Sequence, residues 1–420
     1  MNTRSIMELW TTGFKAGLVT IACAILAQPA FAATPISPIT VPMTSTAVRM
    51  ISYRHEKHSW QTSDGAFHLM INRGDQPGDD AFQLYTTVDD GANWIAGPSL
   101  VASNEYSTED GMLRGKTLAV VYSTDTRAVV FTSFAWDPTS ATWTGSDSQT
   151  VFASAGQQAI NPCIARDDNG SLWVPLVVLD LTTLDNSIRL MVRPSGTSRW
   201  IDTGQVFGGV DGPEVERSAR PVAIPGGMGM VYTVHNNMYW ATRENTAPLT
   251  AAWTSQLLYT YTGTHTDPFS SHFSLVSDNR GNVHLALVDG GRLLYLHYNA
   301  ANQRWRQRWL TPDINAGYPQ VSLVGNTLVI AVNNESNAAV LTSTDLGKTF
   351  SYSYALRHGT PTKGVSYRYP RLETPATASD PTLLFQQYTD NGTQKLLEYA
   401  IPIGAAPTLQ NTQSVPQRPR

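Results

Sequence analysis

Arginine, histidine and tyrosine recur in this sequence at positions where they could recognise and process an anionic sugar. Arginine presents a rigid planar fork to a carboxylate. Histidine and tyrosine can exchange a proton with a carbohydrate carbon or oxygen. The candidate catalytic residues are His58, Arg220, His272, Tyr318 and Arg371. The candidate substrate-binding residues are Arg54, Arg73, Asn161, Arg217, His235, Tyr367 and Arg368.

One reaction that would use this set is β-elimination at a uronate. Arg220 or Arg371 would neutralise the carboxylate and so acidify the neighbouring C–H group. His272, His58 or Tyr318 would remove that proton, and a second histidine or tyrosine would protonate the leaving oxygen. The pattern therefore predicts an enzyme that cleaves an acidic, uronate-containing polysaccharide or oligosaccharide.

Glycoside hydrolysis is the alternative reaction. Tyr318 would act as a nucleophile paired with Glu335 or Glu214. An aspartate such as Asp75 or Asp79 would then serve as the acid. A third interpretation is a propeller that binds a sugar or a protein without catalysis, because a fold does not dictate a function.

Metal binding has weak support in the sequence. The acidic loop that contains Asp75, Asp79 and Asp80 could bind Ca²⁺, but its ligands lack a regular spacing, so a solvated turn is the preferred interpretation. No histidine and cysteine cluster has the spacing of a zinc site. We therefore assign no metal ligands and expect no cofactor, with calcium as the one ion to consider.

Composition narrows the possible partners. The chain has 420 residues, of which 41% are hydrophobic and 15% charged, with a net charge of −4 and a pI near 6.1. These values argue against disorder and against nucleic acid as a partner. No apolar run reaches the roughly 18 residues of a membrane-spanning helix. We expect a monomer that does not insert into membranes and whose partner is an acidic carbohydrate.

The elements that must position these residues repeat along the chain. Two apolar runs around a polar turn recur about every 52 residues, with turns near 65, 126, 170, 227, 281, 325 and 380. An aromatic marker follows the third strand of successive units at Trp94, Trp143, Trp200, Trp253, Trp305 and Phe350. A four-stranded unit of this length cannot bury both of its faces alone, so the copies must stack into a closed ring. The fold class is therefore all-β, a seven-bladed β-propeller, with six blades as the alternative count.

The chain divides into three segments. Residues 1–32 combine a basic start, an apolar stretch and Ala30-Phe31-Ala32, which predicts a cleaved secretory signal peptide and a secreted or periplasmic protein. Residues 33–403 form the single propeller domain, in which the segment Val41 to Met50 supplies the outermost strand of the last blade. Residues 404–420 are polar, contain proline and are expected to be a disordered tail.

Two third-strand ends carry a shared motif. They read Thr87-Val-Asp89-Asp-Gly91-Ala-Asn-Trp94 and Ser343-Thr-Asp345-Leu-Gly347-Lys-Thr-Phe350. Both match the Asp-box pattern, so the chain resembles the sialidase-like propellers that carry Asp-box, or BNR, repeats. The resemblance implies a propeller fold with structural turns at the blade periphery.

The resemblance to sialidases does not extend to their catalytic residues. Sialidases carry an arginine in a Phe-Arg-Ile-Pro-like segment of the first blade, where this chain has Ser52-Tyr-Arg-His-Glu-Lys-His58, and His272 stands where the fifth blade of the family supplies another arginine. The segment from His272 to His284 is similar to a hairpin of seven-bladed propeller polysaccharide lyases, which use His, Tyr and Arg. The lyase is therefore preferred over the sialidase-like exo-hydrolase.

Overall fold

Short β-strands, most of them in antiparallel ladders, make up the described chain. The computed structural model describes residues 34–51, 55–74, 82–100, 102–105, 107–146, 148–212, 217–262, 273–310, 317–333, 338–357, 362–367 and 372–403. The described residues contain no helix, and so none that could cross a bilayer.

The described strands form seven sheets, numbered here in chain order. Two N-terminal strands, β1 (Thr34–Ile36) and β2 (Ile39–Ser45), precede them. Sheet one contains β3 (Ser59–Gln61), β4 (Phe67–Asn72), β5 (Phe82–Thr87) and β6 (Ile95–Leu100). Sheet two contains β7 (Glu109–Arg114), β8 (Thr117–Ser123), β9 (Val129–Asp137), β10 (Thr142–Gly145) and β11 (Gln149–Phe152).

The next three sheets repeat the same up-and-down order. Sheet three contains β12 (Gln157–Ile160), β13 (Ala165–Arg166), β14 (Leu172–Asp180), β15 (Asn186–Arg193) and β16 (Ile201–Asp211). Sheet four contains β17 (Arg217–Ile224), β18 (Gly227–Val234), β19 (Asn237–Glu244) and β20 (Thr254–Thr260). Sheet five contains β21 (Phe273–Ser277), β22 (Val283–Asp289), β23 (Arg292–Asn299) and β24 (Arg304–Trp309).

The last two sheets receive strands from elsewhere in the chain. Sheet six contains β25 (Gly317–Val324), β26 (Thr327–Asn333), β27 (Ala338–Ser343) and β28 (Ser351–Leu356). Sheet seven contains β29 (Val365–Ser366), β30 (Leu372–Glu373), β32 (Thr382–Asp390) and β33 (Thr393–Ile401), while β31 (Thr377–Ala378) pairs with β25. β1 joins sheet six in parallel with β28, and β2 joins sheet seven antiparallel to β33.

The sheets surround a central axis as the blades of a β-propeller. The first strands of neighbouring sheets contact one another, as β17 does with β21 and β21 with β25. A buried apolar cluster lies between each pair of neighbouring sheets among the described residues. The cluster that joins sheet seven to sheet one contains Leu383 and Phe385 on one side and Phe67 and Leu69 on the other, so the ring is closed.

Strand β2 makes this closure with an alternating pattern. Val41, Met43 and Ser45 are buried, while Thr40 and Thr44 are exposed, as expected for an outer strand with one face against the core. The predicted closing segment, 41–50, overlaps this strand but begins and ends later than the strand observed.

The second repeat differs from its predicted register. The turn between its first two strands is at Gly115 and Lys116, not near residue 126. Arg114 and Lys116 border this turn, so they lie at the face opposite the starts of the first strands. The aromatic markers Trp94, Trp200 and Trp253 follow the third strands as predicted, and each directly precedes the fourth strand of its sheet.

Candidate functional site

Seven ionisable side chains gather where the first strands begin, close to the axis. This axial cluster consists of Glu56, Lys57, His58, Glu109, Asp110, Arg220 and Glu373. Arg220 is the most exposed of them, at 9%. Charges buried this deeply are costly unless they are paired, so their mutual contacts determine their protonation.

His58 lies among three carboxylates. Its Nδ1 is 3.1 Å from Glu373 Oε2, and its Nε2 is 3.3 Å from Glu109 Oε2 and 3.7 Å from Glu56 Oε2. Burial alone would lower the pKa of His58, but these carboxylates outweigh it and raise the pKa well above the usual value. A histidine that stays protonated at neutral pH can donate a proton but cannot act as a base.

The pKa of Glu109 is also raised. Burial raises the pKa of Glu109 to about 8, with the charges of Glu56 and Asp110 adding to the shift and His58 opposing it. Because the pKa of each group depends on the charge of the other, His58 and Glu109 titrate as a pair, and the axial cluster holds a proton at neutral pH.

Lys57 ties the axial cluster to sheets six and seven. Its Nζ donates to Gln320 Oε1 at 2.7 Å and to the carbonyl oxygens of Val321 and Thr374 at 3.3 and 3.4 Å. Burial lowers the pKa of Lys57 to about 8. Ser274 Oγ, at 3.5 Å, is a fourth neutral oxygen acceptor, so the ammonium group is held in a fixed position.

Asp110 ties the axial cluster to sheets one, three and four. Its Oδ1 accepts from the backbone N–H of Lys57 at 2.7 Å, and its Oδ2 accepts from the backbone N–H of Ile164 at 2.7 Å. The guanidinium of Arg220 forms an ion pair with the same carboxylate. Arg220 is therefore engaged within the protein and is not presented to solvent as a free cation.

A cavity of about 260 Å³ extends from the axial cluster along the channel. Lys57 and Arg220 line it together with the apolar side chains of Leu113, Val222 and Leu275. Leu113 lies near the end of β7, the first strand of sheet two, and Lys57 precedes β3, the first strand of sheet one. The cavity therefore spans the length of the inner strands.

Tyr318 stands at the start of β25 in an unusual backbone conformation. Its φ is +49°, and the pairing of β25 with β26 shifts register between Gly317 and Gln320. A left-handed φ in a bulky residue costs free energy and points to a functional constraint. The side chain is half-buried, and the chain continues to Gln320, which accepts from Lys57.

Asn161 and His235 share this left-handed conformation. Asn161 has a φ of +51°, is 8% exposed and donates its backbone N–H to Thr108 Oγ1 at 3.0 Å. His235 has a φ of +52° in the two-residue turn between β18 and β19. Its side chain is 59% exposed, and its Nε2 is 3.5 Å from Asp211 Oδ2. His235 is therefore available to solvent, whereas Asn161 is packed.

Three other predicted binding residues have different surroundings. Arg73 directly follows β4 and is half-buried. Arg217 is buried, forms an ion pair with Asp211 and donates its Nε–H to Asn186 Oδ1 at 2.6 Å. Tyr367 is 7% exposed, and its ring lies 5.3 Å from that of Tyr388. The contacts of Arg217 and Tyr367 thus hold strands together.

Several predicted residues lie outside the part of the chain that the structure describes. They are Arg54, Asp75, Asp79, Asp80, Glu214, His272, Glu335, Arg368 and Arg371. Among the residues that are described, no group of three or more His, Cys, Asp or Glu side chains has the arrangement of a metal site.

Sequence reasoning missed the carboxylates at the axis. Glu56, Glu109 and Asp110 were not selected as site residues, although all three are buried there. Glu109 and Asp110 begin β7, the first strand of sheet two. With the correct register of the second repeat, the sequence alone would have placed both carboxylates at the start of an inner strand.

Comparison with known proteins supports the fold alone. No protein-family model matches the sequence, and no curated protein matches it. Two solved structures of the PL25 ulvan lyase, one of them bound to -[GlcA(1-4)Rha3S]-, are each 10% identical, with a TM-score of 0.50 over 88% of this chain and 95% of the lyase. An α-L-arabinanase of Penicillium chrysogenum complexed with arabinobiose is 15% identical, with a TM-score of 0.44 over 71% of this chain and 94% of its own.

Proposed function

We propose that this chain is an exported enzyme that cleaves an acidic, uronate-containing polysaccharide by β-elimination, at the face where the first strands begin. The observation that carries the proposal is Tyr318, a phenol in a left-handed backbone conformation two residues before Gln320, which accepts from Lys57 of the buried axial cluster. Such strain persists where the surrounding structure enforces it, which happens most often at functional sites.

Tyr318 is the proposed base of the reaction. As the phenolate, it would remove the proton from the carbon next to the uronate carboxylate and become the neutral phenol, and the electron pair would form a carbon–carbon double bond as the glycosidic oxygen leaves. The neighbouring anchor of Gln320 on Lys57 Nζ, at 2.7 Å, fixes the strand that presents the phenol. A fixed base of this kind favours a near-attack geometry.

The roles of His58 and Arg220 change in this proposal. The protonated, buried His58 would act as a positioning residue that holds Glu373 and β30 in place. Arg220 is engaged with Asp110, so carboxylate neutralisation would pass to Arg371, which directly precedes β30 in the sequence. His272 directly precedes β21 and is the proposed acid that protonates the leaving oxygen.

The test offers uronate polysaccharides to the purified protein and follows the ultraviolet absorbance of the unsaturated uronate, together with reducing ends. Only β-elimination creates that absorbance. Tyr318→Phe should lower kcat by roughly 10²-fold or more, the usual loss when a general base is removed. The matched control is Arg280→Gln, a charge removed from an exposed turn at the opposite face, which should keep full activity.

Other outcomes would replace the proposal. Reducing ends without absorbance would identify a glycoside hydrolase, in which Tyr318 would serve as nucleophile. Binding of the polysaccharide with no product of either kind would identify a non-catalytic propeller. Full lyase activity in Tyr318→Phe would remove this residue from the mechanism.

A further inference from the structure

A second polar cavity lies between sheets two and three, at the face opposite the candidate site. Its volume is about 280 Å³, and three arginines line it: Arg114 at the end of β7, Arg166 at the end of β13 and Arg193 at the end of β15. We call it the arginine pocket. Its other polar lining residues include Ser133 and Ser195.

Arg193 is held in place at the wall of the arginine pocket. Its guanidinium carbon lies 4.4 Å from the ring centroid of Phe131 and 5.6 Å from that of Trp200. Its Nη1 donates to Gln149 Oε1 at 3.1 Å. A planar cation fixed by stacking and by one neutral acceptor keeps its remaining N–H groups for another partner.

The positive charge of the arginine pocket is uncompensated within the described chain. No aspartate or glutamate lines the cavity. Among the described residues, the ion pairs of arginine involve Arg189, Arg217 and Arg220, and none of them involves the three arginines of the pocket. Burial, and then the like charge of Arg166, lower the pKa of Arg193, as expected for two cations that line one cavity.

Gly170 allows the polar groups to converge. Its φ is +90°, and a Cβ atom at this position would lie 2.7 Å from Ser195 Oγ and 2.9 Å from Arg166 Nη2. An alanine would therefore be strained and would push against both groups. The turn requires glycine, because only a residue without a side chain leaves this space open.

We propose that the arginine pocket is a binding site for a compact oxyanion, the sulfate, phosphate or carboxylate group of a small ligand or of a single sugar unit. Arginine forks bind such groups in bidentate geometry, and the serine hydroxyls add neutral donors. An anion there would relieve the repulsion between the cations. The volume is at the small end of the range of ligand sites, which suits one anionic unit rather than a long chain.

This site is independent of the proposed lyase activity. It lies at the other ends of the strands, so the failure of either proposal leaves the other standing. The test is isothermal titration calorimetry of the full chain at low ionic strength with three probes: sodium sulfate, sodium phosphate and sodium glucuronate. We expect saturable binding at one site.

Variants locate the binding. Arg166→Gln should weaken it by about tenfold or more, because one charge-assisted pair is lost. Gly170→Ala should also weaken it, although it removes no charge. Lys116→Gln is the matched control, since it removes an exposed cation from the adjoining turn without altering the lining, and it should bind as the parent does.

The outcomes decide the proposal and the source of the anion. No saturable binding of any probe, or equal binding by Arg166→Gln and Lys116→Gln, would overturn it. Tighter binding of glucuronate than of the inorganic anions would identify a sugar unit as the ligand, and the reverse order would identify a free anion. Near-ultraviolet circular dichroism of each variant confirms that the comparison is between folded proteins.

Discussion

His68 shows how the environment of one residue fixes its protonation. Trp143 Nε1 donates to His68 Nδ1 at 3.1 Å, so this ring nitrogen accepts. The proton is then on Nε2, which lies 3.1 Å from Thr62 Oγ1. Burial lowers the pKa of His68 to about 3, and the imidazole is neutral. A second proton would remove one of the two acceptors of the indole N–H group and leave only Thr86 Oγ1, at 3.2 Å.

The neutral His68 predicts a dependence of stability on pH. The folded pKa is below the unfolded value, so the unfolded state binds the extra proton first, and stability is lost as the pH falls from about 6.5 towards 3. The loss from this residue is about 1.4 kcal/mol per pH unit within that window. Urea unfolding of the parent and of His68→Gln, measured between these limits, should show a smaller slope in the variant.

The comparison between these two proteins isolates His68. Other groups that titrate in this window, His284 among them, contribute equally to both slopes. Glutamine can accept from the indole and donate to Thr62 without titrating. Identical slopes would show that the imidazole is already protonated in the folded protein at neutral pH.

At the scale of elements, two turns with one sequence pattern make the same hydrogen bonds. In the first, Thr87 Oγ1 accepts from the backbone N–H of Gly91 at 3.0 Å, and Asp89 Oδ1 accepts from that of Asn93 at 2.8 Å. In the second, Ser343 Oγ accepts from Gly347 at 2.8 Å, and Asp345 Oδ1 from Thr349 at 2.9 Å. The side chains thus satisfy backbone donors that no strand partner reaches.

The glycine of the second turn also packs against the neighbouring sheet. Gly347 has a φ of +85°, and an added Cβ would lie 2.1 Å from Tyr295 Oη, which contacts His284 Nδ1 at 2.6 Å. Gly347→Ala should therefore lower the free energy of unfolding by about 3 kcal/mol, from strain and overpacking together. Gly115→Ala, also left-handed but with no atom within 4 Å of the added Cβ, should cost about 1 kcal/mol.

Thermal or urea unfolding of the two variants measures the difference. Because Gly115→Ala carries only the conformational cost, the excess in Gly347→Ala reports the contact with sheet five. Equal losses would mean that Tyr295 moves aside freely.

The sequence predicted the repeat well where turns are polar and strands apolar. Six turns, including those at Gly65, Gly170 and Gly281, lie close to their predicted positions, and each of these three glycines has a positive φ. The second repeat was misplaced because β7 begins with Glu109 and Asp110, which do not look like an inner strand. Charged residues of the axial cluster replace the apolar pattern there.

The axial contacts could not be predicted in the same way. His58 and Glu373 meet at 3.1 Å although 315 positions separate them in the chain. The repeat gives the face and the depth of each residue, but the pairing depends on side-chain directions across the axis. Sequence reasoning therefore placed His58 and Arg220 correctly near the axis and did not anticipate that both would be buried with carboxylate partners.

For the whole molecule, stability depends on one strand near the start of the chain. Met43 in β2 is 3% exposed and packs in the cluster that joins sheets seven and one. Met43→Ala should lower the free energy of unfolding by about 3 kcal/mol, since it leaves a cavity at the closure of the ring. Thr44→Ala, on the exposed side of the same strand, should change it by less than about 0.5 kcal/mol.

Tryptophan fluorescence during urea unfolding distinguishes two forms of this loss. A single transition shifted to lower urea would show that the closing strand and the ring unfold together. A separate early phase in Met43→Ala would show that β2 detaches while the sheets stay intact, which contradicts the coupling proposed here.

The pairing of β2 with β33 also determines when β2 can form its ladder during translation. The ribosome makes Ile39–Ser45 long before Thr393–Ile401, yet each is the ladder partner of the other. Strand β2 therefore stays without this partner until all seven sheets' strands up to β33 have been made. A chain whose synthesis stops before β33 would expose the unpaired backbone edge of β2. We expect a chaperone to bind this edge and prevent aggregation.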